Sequence, residues 1–166
     1  MTARLGNFLG FLACAGLLAY AYYAQYVMHL EPCPLCMFQR FGVIALCVVF
    51  LIAALHDPGA KGRRVYAVLI ALAALATIGI ALRHLYIQHL PPGSVPACGA
   101  SLDFMLKVFS FSEVLVKVLT GSGECAKITW EFLGLAMPAW VLISALILGG
   151  YGLWANLRHQ PPILRF

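Results

Sequence analysis

The sequence predicts an all-α membrane protein built on a bundle of four transmembrane helices. Its 166 residues are 63% hydrophobic and only 10% charged, and the mean hydropathy is +0.91. Soluble domains average about 45–50% apolar and about 25% charged residues, so lipid is the solvent that suits this composition. The chain has no internal repeat and no low-complexity linker. We therefore expect residues 1–166 to form a single integral membrane domain.

Four apolar runs are each long enough to cross a bilayer, which takes about 20 residues of helix. Asp57-Pro58-Gly59 interrupts the chain after the second run, and Pro91-Pro92-Gly93 interrupts it after the third. The predicted spans are 8–27, 37–55, 65–82 and 132–153. They leave a short first outer loop, 28–36, and a long second one, 83–131.

The basic residues predict the orientation of the bundle, because cytoplasmic loops carry an excess of lysine and arginine. They precede span 1, join spans 2 and 3, and follow span 4, as Arg4, Lys61, Arg63, Arg64, Arg158 and Arg165. Both termini are therefore expected in the cytoplasm. Four cysteines face an extracytoplasmic compartment, where disulfides form and persist. The basic residues are scattered without interleaved aromatics, so we expect no nucleic-acid partner.

Within the long outer loop, residues 102–119 are predicted to form an amphipathic helix lying in the membrane surface. Polar side chains recur every three or four residues, at Asp103, Lys107, Ser110, Glu113 and Lys117. Charges near the centre of a span cost about 2.5–3.5 kcal/mol each, whereas a surface helix keeps them in water. Lying flat, the segment also returns Cys125 to the side of Cys98. We expect Ser110-Phe111-Ser112 to divide it into two shorter helices.

The motif Cys33–Cys36, a C-x-x-C between spans 1 and 2, is the feature that carries chemistry. A zinc site of this kind usually has a second closely spaced ligand pair, and Cys98 and Cys125 are far apart. A purely structural disulfide in so small a ring would contribute little loop-closure stabilisation. We therefore favour a redox-active dithiol and expect no metal.

The position of this motif supports the redox interpretation. Pro34 suits the entry of a helix, which puts Cys36 in the first turn, where free N–H groups favour a thiolate. Arg40 lies one turn further along the same face of the helix, where its charge would stabilise that thiolate. The alternative is that Arg40 only extends its charged end to the membrane interface. Haem, flavin and iron–sulfur motifs are absent from the sequence. By elimination, we expect a lipid-soluble quinone as electron acceptor.

Over nearly its whole length the chain resembles the DsbB family, the bacterial disulfide bond formation proteins. The resemblance covers the four spans and the short and long outer loops. Its motifs are Pro32–Cys36 followed by Gln39-Arg40, Leu90-Pro91 leading to Val95–Gly99, Leu102–Leu106, Gly121–Ala126 and Trp130–Trp140. It implies a bacterial inner-membrane protein whose cysteine loops are periplasmic.

The resemblance also implies a relay of two disulfides. Cys98 and Cys125 would receive electrons from DsbA, a soluble periplasmic oxidase of the thioredoxin fold, with Cys98 attacked first. Cys125 would then attack Cys33 and release Cys36 as a thiolate. Cys36 would reduce ubiquinone or menaquinone beside Arg40, and the quinol would pass to the respiratory chain.

The roles of three further groups are left open by the sequence. The family places a histidine near the end of span 3, and both His84 and His89 are candidates for assisting the quinone. Equally, Arg83 and His84 would serve simply to anchor the helix end. Trp130 and Trp140 are interpreted as interfacial anchors, and Pro138 as a kink in span 4.

Three other functions are alternatives to the relay. A vitamin K epoxide reductase-like enzyme also combines four helices, a C-x-x-C and a quinone, but its motif lies at the last helices of the bundle. A non-catalytic scaffold would use two disulfides only to staple the outer loop. A metal transporter is disfavoured, because the predicted spans lack paired acidic or histidine residues.

Overall fold

A computed structural model describes residues 2–91, 102–121 and 123–158 of the chain. Within these residues, four helices are long and apolar enough to cross a membrane, which confirms the predicted fold class. The first three are α1 (Ala3–Tyr26), α2 (Pro34–His56) and α3 (Ala60–Gln88). Three short helices follow, α4 (Leu102–Val108), α5 (Phe111–Thr120) and α6 (Gly123–Ala126). A hairpin of β1 (Glu131–Phe132) and β2 (Leu135–Ala136) then leads into α7 (Met137–Leu157).

The long helices differ from the predicted spans at several ends, and two of these differences lie next to the second outer loop. Helix α3 runs to Gln88 rather than ending at Leu82, because the polar residues beyond Leu82 find hydrogen-bond partners. The second outer loop therefore begins after α3, not at residue 83. Helix α7 begins at Met137 rather than at Phe132, since Phe132 belongs to the antiparallel hairpin and pairs with Leu135.

The four long helices pack through large buried side chains opposed by small ones. Leu46, Phe50 and Ile70 have no exposed surface and form the centre of the core. Gly152 lets α7 approach closely, because a Cβ there would lie 2.7 Å from Ile70 Cγ2 and 2.9 Å from Phe50 Cζ. Small residues at helix interfaces are the usual way for membrane helices to gain packing contacts. Substituting a larger residue at Gly152 would push α7 away from the core.

At the end of the bundle remote from the cysteine motif, two buried amides join α1 to α7. The side chain of Asn7 donates to Asn156 Oδ1 at 3.1 Å, and that of Asn156 donates back to Asn7 Oδ1 at 2.8 Å. Neither amide is left unpaired in an apolar surrounding, where an unpaired polar group would be costly. This pair therefore fixes the register of the two helices.

The short helices of the outer loop cover the outer ends of α2 and α3. They contribute to a buried group that we call the lid cluster, formed by Leu35, Ile87, Met105, Val114, Val118 and Cys125. Helix α5 is amphipathic as predicted, since Val114 and Val118 are buried while Val116 is exposed. Its placement in the membrane surface stays a prediction.

The predicted division of this segment near Ser110 is confirmed, and a capping box explains it. Glu113 accepts hydrogen bonds from the Ser110 backbone N–H at 3.0 Å and from the Ser110 hydroxyl at 2.8 Å. These bonds hold the pKa of the Glu113 carboxyl below its usual value, with a further contribution from Lys117. Helix α4 therefore ends before Ser110, and α5 begins after it as a separate helix.

Candidate redox site

Both cysteines of the C-x-x-C motif lie at the N-terminus of α2. Cys33 is the N-cap residue, in an extended conformation, and Pro34 occupies the first turn. The Cys36 backbone N–H donates to Cys33 Sγ at 3.3 Å, and the two sulfurs are 3.0 Å apart. Proline is favoured at this position because the N–H that it lacks would have no partner inside the helix. The predicted placement of Cys36 in the first turn is confirmed.

His84, on α3, contacts both halves of the predicted relay. Its Nε2 lies 3.7 Å from Cys33 Sγ and 3.1 Å from the backbone carbonyl oxygen of Cys125. Its Nδ1 lies 3.1 Å from Gln39 Nε2. Because an amide nitrogen only donates and a carbonyl only accepts, the neutral ring carries its proton on Nε2. His84 and Gln39 are each only 2% exposed, so this hydrogen-bonded chain is shielded from water.

Cys125 lies in α6 against the outer ends of α2 and α3. It is 1% exposed and belongs to the lid cluster, against which the partly buried Cys33 also packs. Its backbone carbonyl oxygen accepts the hydrogen bond from His84 described above. Cys98, the other predicted relay cysteine of this loop, lies outside the described residues.

Arg40 is fixed by α1 rather than by an acidic partner. Its guanidinium donates to Gln25 Oε1 and, at 3.0 Å, to the carbonyl oxygen of Ala21. It also lies over the ring of Tyr22, 5.4 Å from the centroid, in a cation–π contact. Among the residues that the structure describes, the hydrogen-bond partners of Arg40 are neutral, so its guanidinium is positioned to attract an electron-rich group.

A cavity of about 690 Å³ opens beside the motif, between α1, α2 and α7. Cys33, Cys36, Arg40 and His84 all line it, and its other walls are mostly apolar. Its volume is within the range of about 300–1,000 Å³ that is typical of small-molecule sites. One wall is a row of contacting aromatic rings with centroids 5.9–6.1 Å apart, formed by Tyr20, Trp130, Phe132 and Trp140. Trp130 and Phe132 are stacked, whereas Tyr20 meets Trp130 edge-on and Trp140 is tilted against Phe132.

Sequence reasoning missed several features of this cavity. Trp130 and Trp140 were interpreted only as anchors, yet both line it. The expectation of a kink at Pro138 is wrong, because this proline stands in the first turn of α7, where it interrupts nothing. Gln39 and Gln25 were given no role. The signal for Gln39 was a lone amide in an apolar run, three residues after Cys36 and on the same side of the helix.

The two predicted histidines have different surroundings. His84 lies in the site, whereas His89 is exposed at the C-terminal end of α3, with Nδ1 2.8 Å from the carbonyl oxygen of Leu85. His89 does not line the cavity. Gln88 does, and its buried Oε1 has no hydrogen-bond partner among the described residues. A ligand with a hydroxyl group would satisfy that atom.

The motif and His84 also offer a set of metal ligands. The ligand atoms of Cys33, Cys36 and His84 lie within 4.8 Å of one another, and two thiolates with an imidazole would suit zinc. The helix N-terminus and the Arg40 charge oppose a cation at this place, however, and favour a thiolate or another anion. The electrostatics therefore suit thiol chemistry better than metal binding.

Comparison with known proteins identifies the family. The model of the family described as "Disulfide bond formation protein DsbB" matches residues 3–155, nearly the whole chain. The chain belongs to the DsbB family. A relative from Nitrosococcus oceani is 52% identical over 154 residues, covering 93% of this chain and 91% of the relative. One from Hahella chejuensis is 50% identical over 155 residues, covering 93% of each. One from Marinobacter nauticus is 48% identical over 162 residues, covering 98% and 96%.

All three of these relatives carry the name "Disulfide bond formation protein B". Membership of the DsbB family makes this chain a multi-pass membrane thiol oxidoreductase of disulfide bond formation. The predicted family and class of enzyme are thereby confirmed.

Proposed function

We propose that this protein reoxidises a periplasmic DsbA-type dithiol oxidase and passes the electrons to a membrane quinone. The proposal rests on the position of the two motif cysteines between the lid cluster and the cavity. Cys33 packs against the lid cluster that contains Cys125, and it also borders the cavity. Cys36 lines the cavity beside Arg40. Electrons can therefore pass from Cys125 through Cys33 and leave at Cys36.

The proposed order of thiol exchange is the one that the family resemblance implies, and the positions of Cys125, Cys33 and Cys36 support its second step. A thiolate of the oxidase attacks Cys98 in a Cys98–Cys125 disulfide and releases Cys125. Cys125 attacks Cys33 in the Cys33–Cys36 disulfide and releases Cys36 as a thiolate at the helix N-terminus. Each exchange forms one S–S bond and breaks another, so its rate depends on thiolate character and on approach of the sulfurs.

The cavity provides the features that a quinone headgroup requires. Tyr20, Trp130 and Trp140 supply flat apolar walls, and Arg40 supplies a fixed positive charge. The unpartnered Oε1 of Gln88 would accept a hydrogen bond from a quinol hydroxyl. A quinone bound there is a two-electron, two-proton acceptor. His84, which holds a proton on Nε2 beside Cys33, is the group placed to move a proton.

We further propose a bacterial inner-membrane location with both termini in the cytoplasm. Arg4 and the basic residues between α2 and α3 support this orientation by the positive-inside rule. The motif and the lid cluster then face the periplasm, where a soluble oxidase has access to them. The quinol diffuses in the lipid to the respiratory chain.

One experiment tests this function. The purified protein is mixed with a reduced DsbA-type oxidase and a short-chain ubiquinone or menaquinone, and thiol loss and quinone reduction are followed together. We expect both, at one quinone per two thiols. A scaffold or a metal transporter would give neither. Cys47→Ala, a thiol in α2 far from the motif, serves as the matched control and should react as the parent protein does.

A further inference from the structure

The segment Leu119–Cys125 is held on the outer end of α3 by two consecutive residues, Arg83 and His84. Arg83 Nε donates to the carbonyl oxygen of Leu119 at 2.8 Å, and Arg83 Nη2 donates to that of Thr120 at 3.4 Å. His84 donates to the carbonyl oxygen of Cys125 at 3.1 Å. Neighbouring residues point about 100° apart on a helix, so the two ends of this segment, Leu119-Thr120 and Cys125, contact different sides of α3.

The Arg83 contacts complete the C-terminus of α5. A helix ends with four carbonyl groups that have no partner inside it. Here the backbone N–H of Gly121 donates to the carbonyls of Lys117 and Val118, both at 3.2 Å. Arg83 takes the remaining two, those of Leu119 and Thr120. A cation at this end also suits the negative end of the helix dipole.

The turn after α5 fits the same surface of α3 closely. Gly121 has a φ of +92°, and a Cβ there would lie 2.6 Å from Ile87 Cδ1. Both the left-handed backbone and the lack of space favour glycine. Arg83 is itself ordered by the ring of Tyr86, 5.2 Å from the guanidinium carbon. The start of the segment is therefore held on α3, as is its end at Cys125.

We propose that Arg83 is a positioning residue that holds the Leu119–Cys125 segment on α3 and so keeps Cys125 within reach of Cys33. This inference rests on the proposed function. Arg83 touches none of the reacting sulfurs and acts through backbone carbonyls. In the proposed relay Cys125 must also pair with Cys98, so the contacts of Arg83 have to be reversible. Arg83 is partly exposed, and water can therefore replace its hydrogen bonds to the loop.

The test measures how readily Cys33 and Cys125 pair, in a background where the other cysteines are replaced. In a glutathione redox buffer, oxidised glutathione takes two electrons from the two thiols, giving one protein disulfide and two reduced glutathiones. The equilibrium constant of this exchange is the effective concentration of the Cys33 and Cys125 thiols relative to each other. We expect Arg83→Gln to lower it about ten-fold, because bonds from a charged donor are lost, and Arg83→Lys to lower it less.

Two controls separate positioning from general damage. Lys117→Gln removes a cation of the same loop that lies over the Phe109 ring, and it should leave the Cys33–Cys125 constant unchanged. A second background keeps only Cys33 and Cys36, and Arg83→Gln should leave that pair unchanged. An unchanged Cys33–Cys125 constant in Arg83→Gln, or an equal fall for both pairs, would overturn the inference. Failure of Cys33 and Cys125 to pair even with Arg83 intact would refute the relay itself, without quinone or partner being involved.

Discussion

Replacing Gln39 by leucine should disrupt the relay without touching a cysteine. The Gln39 amide donates to His84 Nδ1 at 3.1 Å, and both residues are 2% exposed. Leucine has a similar volume but leaves Nδ1 as a buried acceptor without a donor, which costs about 1–3 kcal/mol. Moving the ring proton to Nδ1 does not avoid that cost, because Nδ1–H is then a buried donor without an acceptor. In that tautomer the ring also loses the Nε2–H bond to the Cys125 carbonyl.

In either tautomer a buried ring nitrogen of His84 is left without a partner, so the ring is held less firmly beside Cys33 and Cys125. Since about 1.4 kcal/mol corresponds to a factor of ten, we expect Gln39→Leu to slow oxidation of the partner dithiol roughly 5- to 150-fold. The assay is stopped-flow quinone reduction driven by a reduced DsbA-type oxidase. Nitrogen-15 NMR of the His84 ring provides an independent measurement, because the two neutral tautomers have different chemical shifts.

The matched control for this variant is Asn156→Leu. It also removes a buried amide, but from the pair with Asn7 at the other end of the bundle. It should lower the thermal stability without changing the relay rate or the His84 tautomer. If Gln39→Leu keeps the parent rate and tautomer, or if Asn156→Leu slows the relay as much, the role assigned to Gln39 is refuted.

Three other changes test separate parts of the site and the lid. Arg40→Met should raise the KM for quinone at least ten-fold in steady-state kinetics and leave the attack of the oxidase on the loop unchanged. Arg40→Lys should give a KM between those of Arg40→Met and the parent protein. Gln88→Leu should raise the same KM a few-fold, since only one hydrogen bond to the quinol is lost. The Glu113 carboxyl has a lowered pKa, so its contribution to α5 is present above the pKa of an unfolded glutamate and is lost as the pH falls through the lowered value. NMR titration of the carboxyl carbon should show that midpoint moving up in Ser110→Ala.

Each of these predictions has an outcome that contradicts it. An unchanged quinone KM in Arg40→Met would remove Arg40 from the acceptor site and leave it as an anchor to α1. An unchanged KM in Gln88→Leu would mean that the unpartnered Oε1 does not face the quinone. A Glu113 midpoint that is unchanged in Ser110→Ala would show that the Ser110 hydroxyl does not bond to Glu113 in solution.

The four spans could be predicted because lipid imposes a simple requirement on sequence. A helix that crosses a bilayer needs about 20 apolar residues, and such runs stand out in this chain. The ends of the spans were harder to place, because hydropathy treats polar residues as the end of a helix. Arg83 and His84 continue α3 instead, since each finds backbone carbonyls of the outer loop as partners.

The cysteine motif could be found from sequence, but its surroundings could not. C-x-x-C spacing and Pro34 predicted a dithiol at a helix N-terminus, and the structure has it there. The choice between His84 and His89 depended on which faces α2, a property of tertiary packing. The hairpin after Trp130 was missed because Leu133, which has a φ of +54°, is not a residue expected in a tight turn.

The transfer of electrons from Cys36 to a quinone is the central claim, and a reaction without any partner tests it most directly. Fully reduced protein is mixed anaerobically with excess short-chain ubiquinone or menaquinone, and quinol and remaining thiols are counted. With four relay cysteines and two electrons per disulfide, the parent protein should form two quinols and Cys98→Ser should form one. Cys36→Ser should form none. Quinol formation by Cys36→Ser at the parent rate would contradict the proposed path.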